Sequence, residues 1–302
     1  MAARWSAMAL GCQLLLAAGL VTVLAAASAL SGSAAIVAGA AEFCGAALLL
    51  AAAPLVLGRS LTHETLPPRP MRNLVGALCG DALALEAALA RMALEPCRTP
   101  RDSAAAAPPA LPRPILLVHG FACSRAVWRP LLGRLRAAGI GPVRAVSLEP
   151  LLAGMETYAA ELLRELELLG SRAGGQAITI VAHSMGGLIA RAALCGARPG
   201  LIGRIITLGA PHHGTALACH FPWPNTRQMC PGSSWLAQLN ACQEGRLGIP
   251  FTTIYSLDDN YVVPADSARL QGARVVELHG IGHLSLLESE AALAHIMGEL
   301  LG

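Results

Sequence analysis

The sequence contains no lysine, few aromatic residues and few charges of either sign. All 22 basic residues are arginines, and aromatic and charged residues make up only 4% and 14% of the chain. These arginines form no basic cluster interleaved with aromatic residues, so nucleic acid is not an expected partner. The nine cysteines include no C-x-x-C pair, which argues against a zinc site, and their odd number argues against a disulfide framework. Free buried thiols are the favoured state, with a single Cys219–Cys230 bridge as the alternative.

Apolar residues are abundant instead. They account for 54% of the 302 residues, and the mean hydropathy is +0.54. This balance indicates membrane-embedded segments beside a soluble core. Between Trp5 and Leu30 no ionised side chain occurs, and a second apolar stretch from Ala34 to Leu57 is interrupted only by Glu42. The sequence therefore predicts a transmembrane helical hairpin within residues 1–58, whose second span is the weaker because a carboxylate inside a bilayer is costly.

The charges that flank the two apolar stretches indicate an orientation. Arg4 precedes the first stretch, and Arg59, Arg69 and Arg72 follow the second. The positive-inside rule then places both ends of a two-span hairpin in the cytoplasm. A cleaved signal peptide ending near residues 27–29 is the competing interpretation, and with it, or with one span only, the rest of the chain would face the periplasm.

Residues 59–110 differ in composition from the segments on either side. Apolar residues recur at helical spacing from 71 to 95, which is typical of a helix on a membrane surface or of one packed on the main domain. Packing is the favoured interpretation. The Ala- and Pro-rich run that ends at Pro114 is typical of a flexible linker.

From residue 111 onwards, short apolar strands alternate with amphipathic helices. This alternation predicts an α/β domain over residues 111–302, with a mostly parallel sheet of about six strands flanked by helices and joined by right-handed crossovers. The alternation stops at residues 216–250, where aromatic and apolar residues lie in an irregular insertion.

One of the predicted strands ends at Ser184, and a helix-forming stretch follows at once. A serine at such a sharp turn is held in an unfavourable backbone conformation and needs small neighbours two residues away on either side. Ala182 and Gly186 meet that need. The hydroxyl would project above the sheet edge, and the Met185 amide at the helix N-terminus could donate to a developing negative charge. Alone the pattern is weak, because a serine that caps a helix after a strand looks the same.

The order of several such signals resembles the α/β-hydrolase superfamily, and within it the bacterial triacylglycerol lipase/esterase-like family with an N-terminal membrane segment. Ala182 departs from the first glycine of the family's G-x-S-x-G pattern. A strand ending in His119-Gly120-Phe121, about sixty residues before the serine, is similar to the lipase loop that carries half of the oxyanion hole. The resemblance implies that the backbone amides of Phe121 and Met185 bind the oxyanion and that His119 orients the loop.

A further segment, Pro211-His212-His213-Gly214-Thr215, is similar to the one after the sixth strand in the same lipases. Its histidines precede any suitable acid, so we expect His212 and His213 to shape the loop beside the pocket rather than to react.

The resemblance also implies a catalytic acid and base. Asp259 fits the family's D-x-x-V-x-P spacing, whereas Asp258, the alternative, is one position early. His283 lies on a glycine-rich loop after the last predicted strand and is preferred to His279, which is still within the strand. The order Ser184, Asp259, His283 is that of the superfamily.

By this resemblance the chain is expected to be a membrane-anchored serine hydrolase of the bacterial inner membrane that cleaves carboxylic esters, with lipid acyl esters favoured. It would work through an acyl-enzyme intermediate without a metal or an organic cofactor. The insertion at 216–250 lies where lipases keep a mobile lid or a fixed acyl-binding wall. An acyltransferase or thioesterase on the same fold, and a catalytically inactive membrane-tethered binding or scaffold protein, remain alternatives.

Overall fold

The computed structural model describes residues 70–95, 111–243 and 248–302, together with Leu48 and Ala52. The predicted transmembrane hairpin, the alternative signal-peptide site and most of the Ala- and Pro-rich linker lie outside the described residues. Within the described part of the chain, one helix, Met71–Ala93, is long and apolar enough to cross a membrane by length and composition alone.

Six strands form one fully parallel sheet, which confirms the predicted α/β class. The strands are β1 (Leu111–Val118), β2 (Ile140–Val146), β3 (Ile178–His183), β4 (Ile202–Leu208), β5 (Phe251–Ser256) and β6 (Arg274–Leu278). Their order across the sheet is β2-β1-β3-β4-β5-β6. Because all strands run the same way, their carboxyl ends meet at one edge, where the predicted site residues follow β1, β3, β5 and β6.

Helices cover both faces of the sheet, so its central strands are buried on both sides and read as continuous apolar runs. The helices are α1 (Met71–Ala93), α2 (Arg129–Ala137), α3 (Met155–Arg172), α4 (Met185–Gly196), α5 (Pro224–Met229), α6 (Ser234–Cys242) and α7 (Glu290–Leu301). On β1, Leu116 packs in one buried cluster with α3 and α4, whereas Leu117 packs in another with α1, α2 and α7. This alternation places the two clusters on opposite faces of the sheet.

Helix α1 packs against the main domain, in agreement with the favoured interpretation of residues 71–95. Its small residues Ala77, Ala84 and Ala88 are buried together with Met92. Near its end, Arg91 forms an ion pair with Glu288, on the chain that leads into α7. The helix is therefore part of the folded domain, although it precedes the linker.

Two disulfides link four of the described cysteines, so the expectation of free thiols is wrong for these four, whereas the alternative of a Cys219–Cys230 bridge agrees with the structure. Cys219–Cys230 closes a short loop inside the insertion, and Cys195–Cys242 ties α4 to α6 across 47 residues. The separations between their Cα atoms, 4.9 and 6.3 Å, lie in the usual range. No local spacing signals the longer bridge, because the fold alone brings α6 beside α4. Within the described residues, Cys79 and Cys123 are free.

Candidate active site

Ser184 occupies the turn between β3 and α4 with φ 56° and ψ −128°, a left-handed conformation that a serine rarely adopts. Such strain costs about 1–3 kcal/mol and persists only where the surroundings enforce it. The Ser184 amide donates to the Leu208 carbonyl at 2.8 Å. A Cβ atom on Gly186 would lie 2.6 Å from the His119 carbonyl oxygen, so this position needs glycine. The turn forms with Ala182 in place of the family's first glycine.

The loop after β1 lies directly against the serine. A Cβ atom on Gly120 would come within 2.7 Å of the Ser184 Cβ. The next residue is Phe121, and the Met185 amide begins α4, where no helical carbonyl can accept from it. Neither amide donates a hydrogen bond to another residue in the described part of the chain. Two unused donors therefore lie beside the serine, as an oxyanion site requires.

His119 holds this loop in place. Its Nε2 accepts from the Leu148 amide at 2.9 Å, so the proton must be on Nδ1, which donates to the Gly120 carbonyl at 2.8 Å. Burial lowers the pKa of His119 to about 4. A neutral ring with both nitrogens engaged has the orienting role that the sequence led us to expect.

Asp259 and His283 form a buried pair. The Asp259 Oδ2 lies 2.8 Å from the His283 Nδ1, and its Oδ1 accepts from the amides of Tyr261 and Val262, both at 2.8 Å. The backbone amide of His283 donates to the Asn260 side chain at 3.0 Å. The carboxylate is thus fixed at both oxygens, and it holds the imidazole through Nδ1, so Nε2 is the ring nitrogen that is left for proton transfer.

Burial and neighbouring charges act in opposite directions on the pKa of His283. Burial by itself would lower the pKa of this histidine, but the carboxylate of Asp259, through its charge and its hydrogen bond, and that of Asp81 outweigh it, so the pKa lies above its ordinary value. A buried base whose protonated form is stabilised by a carboxylate suits general base chemistry near neutral pH.

The alternative residues are engaged elsewhere. Asp258 accepts from the Gly280 amide at 2.6 Å and so ties the β5 loop to the β6 loop. The side chain of His279 is 56% exposed and lies 3.7 Å from Glu277. The structure therefore pairs His283 with Asp259 and leaves Asp258 and His279 outside the pair.

Ser184 and the Asp259–His283 pair lie at the same edge of the sheet. A Cβ atom on Gly209, the residue after β4, would lie 3.0 Å from the Asp259 Oδ2 and 3.2 Å from the His283 Nδ1. On the other side, the ring of His183, the residue just before the serine, lies 4.6 Å from the His283 ring, centroid to centroid. The carboxyl ends of β3, β5 and β6 thus bring the three predicted residues into one neighbourhood.

His183 is a site residue that sequence reasoning did not assign. Its Nε2 donates to the His283 backbone carbonyl at 3.1 Å, so it links the serine turn to the histidine loop. Burial, and then the charge of His283, hold the pKa of His183 well below its ordinary value. The sequence shows that His183 directly precedes the serine, but the serine motif accepts any residue at that position, so no signal assigned it a role.

His212 and His213 differ in their surroundings, although both lie on the loop after β4. His212 is fully buried, its Nε2 lies 3.1 Å from the Thr207 Oγ1, and burial holds its pKa well below the ordinary value. His213 is exposed. These positions agree with the expected loop-shaping role.

The insertion contributes an aromatic wall beside the oxyanion loop. The ring of Trp223 stacks on Phe221 at 5.3 Å and lies 5.9 Å from the ring of Phe121. The Thr226 hydroxyl lies 2.9 Å from the carbonyls of both Phe221 and Trp223 and so fixes the turn that presents them. Phe221 remains 37% exposed, which leaves an apolar surface open beside the site.

The described residues contain no group of three or more side chains with which a metal could be held.

Comparison with known proteins agrees with this architecture. A family model described as a PGAP1-like alpha/beta domain matches residues 151–274, a stretch that includes Ser184 and Asp259. The mature lipase BlEst2 of Bacillus licheniformis is 20% identical with a TM-score of 0.55, and the match covers 65% of this chain and 94% of that one. Lipase B of Aspergillus fumigatus is also 20% identical with a TM-score of 0.57, over 63% of this chain and 52%, about half, of the fungal enzyme. The domain therefore has the α/β-hydrolase fold.

Proposed function

We propose that this chain is a membrane-anchored serine hydrolase that cleaves carboxylic esters, with lipid acyl esters as its substrate class. One observation carries the proposal: a serine in a strained strand-to-helix turn lies at the same sheet edge as a buried Asp–His pair joined at 2.8 Å. Strain of this kind is retained where it exposes a reactive group, because it has no benefit for stability. The lipase folds found by comparison support the same class of chemistry.

The proposed reaction begins with proton transfer. His283 takes the proton of the Ser184 hydroxyl, the serine oxygen attacks the ester carbonyl carbon, and the amides of Phe121 and Met185 stabilise the oxyanion. The tetrahedral intermediate then expels the alcohol, which leaves with the proton from His283. Water, activated by the same histidine, releases the acyl group. Asp259 holds the imidazole in the required tautomer and stabilises its charged form.

The aromatic wall supports an apolar acyl group as the part of the substrate beside the serine. Trp223 and Phe221 come from the insertion and stack on each other, and the Trp223 ring also stacks on Phe121, whose amide is one of the two proposed oxyanion donors. A chain bound along these rings would place its ester carbonyl next to that donor. The membrane segment predicted upstream would keep the site near lipid substrates.

We further propose that the domain works outside the cytoplasm. The two disulfides, Cys195–Cys242 and Cys219–Cys230, support this location because such bonds persist in oxidising compartments and are rare in the cytosol. Together with the proposed membrane anchor, this favours the periplasmic alternative with a single membrane span. A reporter enzyme that works only in the periplasm should be active when it is fused after Gly302. Activity of a reporter that works only in the cytoplasm, fused at the same position, would contradict this placement.

The test of function uses the full-length chain in detergent. The wild type should hydrolyse p-nitrophenyl esters and react covalently with a fluorophosphonate probe, and Ser184→Ala should abolish both while the melting temperature stays near that of the wild type. Ser171→Ala is the control, since its hydroxyl contacts only the Leu168 carbonyl on an exposed helix face. Undiminished turnover by Ser184→Ala would refute the assignment, and an unlabelled, inactive wild type would favour the scaffold alternative. Ester formation with added alcohol at the expense of hydrolysis would identify an acyltransferase.

A further inference from the structure

Helix α1 carries a buried carboxylate that the proposed mechanism does not use. Asp81 is 1% exposed, although it lies in a helix that precedes the linker and the sheet. Its Oδ1 accepts from the Ser285 amide at 2.8 Å and from the Ser285 hydroxyl at 3.1 Å. Burial of a carboxylate is costly unless hydrogen bonds compensate it. Both donors come from a residue 204 positions later, two residues after His283.

The helix also touches the residue before His283. A Cβ atom on Gly282 would lie 2.5 Å from the Asp81 carboxyl carbon and 2.7 Å from the Ala77 carbonyl oxygen. Next to Ala77 on the helix, a Cβ atom on Gly76 would lie 3.4 Å from the Gly280 carbonyl oxygen. The small residues of α1 therefore let its backbone lie directly on the loop that carries the histidine, and Asp81 is the polar contact within that surface.

Three contacts define where His283 lies, and two of them are connected because the Asn260 side chain also interacts with Asp81. Asp259 orients the ring through Nδ1, Asn260 accepts from the backbone amide, and Asp81 holds the turn that follows through Ser285. The first two contacts come from the loop after β5. The third comes from α1, and it is the contact that joins the segment after His283 to this helix.

We propose that Asp81 is a positioning residue for the catalytic histidine, and that α1 thereby completes the active site from outside the sheet. This inference rests on the proposed ester hydrolysis. Asp81 acts as a hydrogen-bond acceptor for Ser285 and does not touch the substrate. Its loss should therefore reduce the rate of the chemical steps and leave substrate binding nearly unchanged.

The test compares two substitutions of Asp81 in the full-length chain. Asp81→Ala removes the acceptor, and because misplacement of a catalytic group by about 1 Å can cost about 100-fold, we expect kcat to fall by at least about 30-fold with KM changed less than about threefold. Asp81→Asn keeps an acceptor oxygen for the Ser285 amide but removes a charge that raises the pKa of His283, so kcat is compared on the alkaline plateau of the pH profile and should stay within about threefold of the wild type. Equal losses in the two variants, or wild-type kcat in Asp81→Ala, would overturn the proposal.

A matched control lies on the same helix. Glu86 has no hydrogen-bond partner among the described residues, so Glu86→Ala should leave kcat unchanged. If Asp81→Ala proves too unstable to assay, Ser285→Ala, which removes only the hydroxyl contact, should still lower kcat by about threefold to tenfold. If Asp81→Ala is stable enough to assay, the variant that combines it with Ser285→Ala should be no worse than Asp81→Ala alone, and additive losses would refute the shared contact.

The activity of the wild type distinguishes failure of the proposed function from failure of this inference. A wild type that neither hydrolyses esters nor reacts with the fluorophosphonate probe refutes the ester hydrolase itself. A wild type that does both, beside an Asp81→Ala variant that is labelled at the same rate, refutes only the positioning role.

Discussion

A methyl group added at Gly120 should disable the proposed site without unfolding the domain. The Cβ atom of Gly120→Ala would lie 2.7 Å from the Ser184 Cβ and 3.2 Å from the His183 Nδ1. Carbon atoms pack best at about 3.5–4.0 Å, so the loop and the serine must separate by about 1 Å. Whichever side moves, the distance between the serine and the proposed oxyanion donor on Phe121 changes. A displacement of about 1 Å can cost about 100-fold in rate, so we expect kcat to fall by about two orders of magnitude.

The assay is saturation kinetics on p-nitrophenyl butyrate, with thermal unfolding measured in parallel. Gly133→Ala is the matched control, because Gly133 lies within α2 and no atom would come within 4 Å of its Cβ. That variant should keep kcat and gain about 0.5–1 kcal/mol of stability, since alanine costs less backbone entropy than glycine in a helix. A Gly120→Ala variant with wild-type kcat would show that the loop after β1 does not support the reacting serine.

Three further predictions concern pH, the disulfides and a buried cation. Because His283 must be neutral to accept a proton and its pKa lies above the ordinary value, kcat/KM should fall as the pH drops through a point above about 6.5. Asp259→Asn should move that acid limb to lower pH and reduce kcat by about 10⁴-fold, as loss of the required tautomer does in serine proteases. Replacing both Cys219 and Cys230 with serine should lower the free energy of unfolding by about 3 kcal/mol, the chain entropy of so short a loop. Arg191→Met should lower it by about 2–4 kcal/mol, because its three hydrogen bonds at 2.7–3.1 Å go to acceptors that would lose their donor.

Each of these predictions has its own control. The pH profile should shift in Asp259→Asn but not in Asp266→Asn, an exposed carboxylate on the same loop region. Reductant should lower the melting temperature of the wild type more than that of a variant lacking both disulfides. Arg198→Met, which breaks an exposed ion pair with Glu167, should cost less than about 1 kcal/mol. A flat pH profile, a reductant-insensitive wild type, or equal costs at the two arginines would contradict the respective argument.

The features that the sequence could predict are those encoded locally. The apolar strands and the small residues around Ser184 are visible within a few positions, so the parallel sheet and the sharp turn follow from them. The choice between Asp258 and Asp259 rests on motif spacing alone, and the structure adds the physical reason. Of the two aspartates, Asp259 contacts the His283 ring, whereas Asp258 accepts from the Gly280 amide.

The features that escaped prediction depend on contacts between distant parts of the chain. Asp81 and Ser285 are separated by 204 positions, and Cys195 and Cys242 by 47. Nothing near Asp81 distinguishes it from a solvated acid on an amphipathic helix, since its burial follows from the packing of α1 on the histidine loop. The sequence therefore showed which residues could react, but it did not show what holds them.

The nucleophile and the base are held by different parts of the structure. Helix α4, which begins at the serine turn, is tied to α6 by Cys195–Cys242 and by the hydrogen bonds that Arg191 makes with Gln243 and Asn240. The histidine loop is held by the loop after β5, through Asp259 and Asn260, and by α1, which lies on the opposite face of the sheet from α4 and α6. Loss of the α6 contacts should therefore act first on stability and on the strained serine turn, whereas loss of the α1 contact should act on proton transfer.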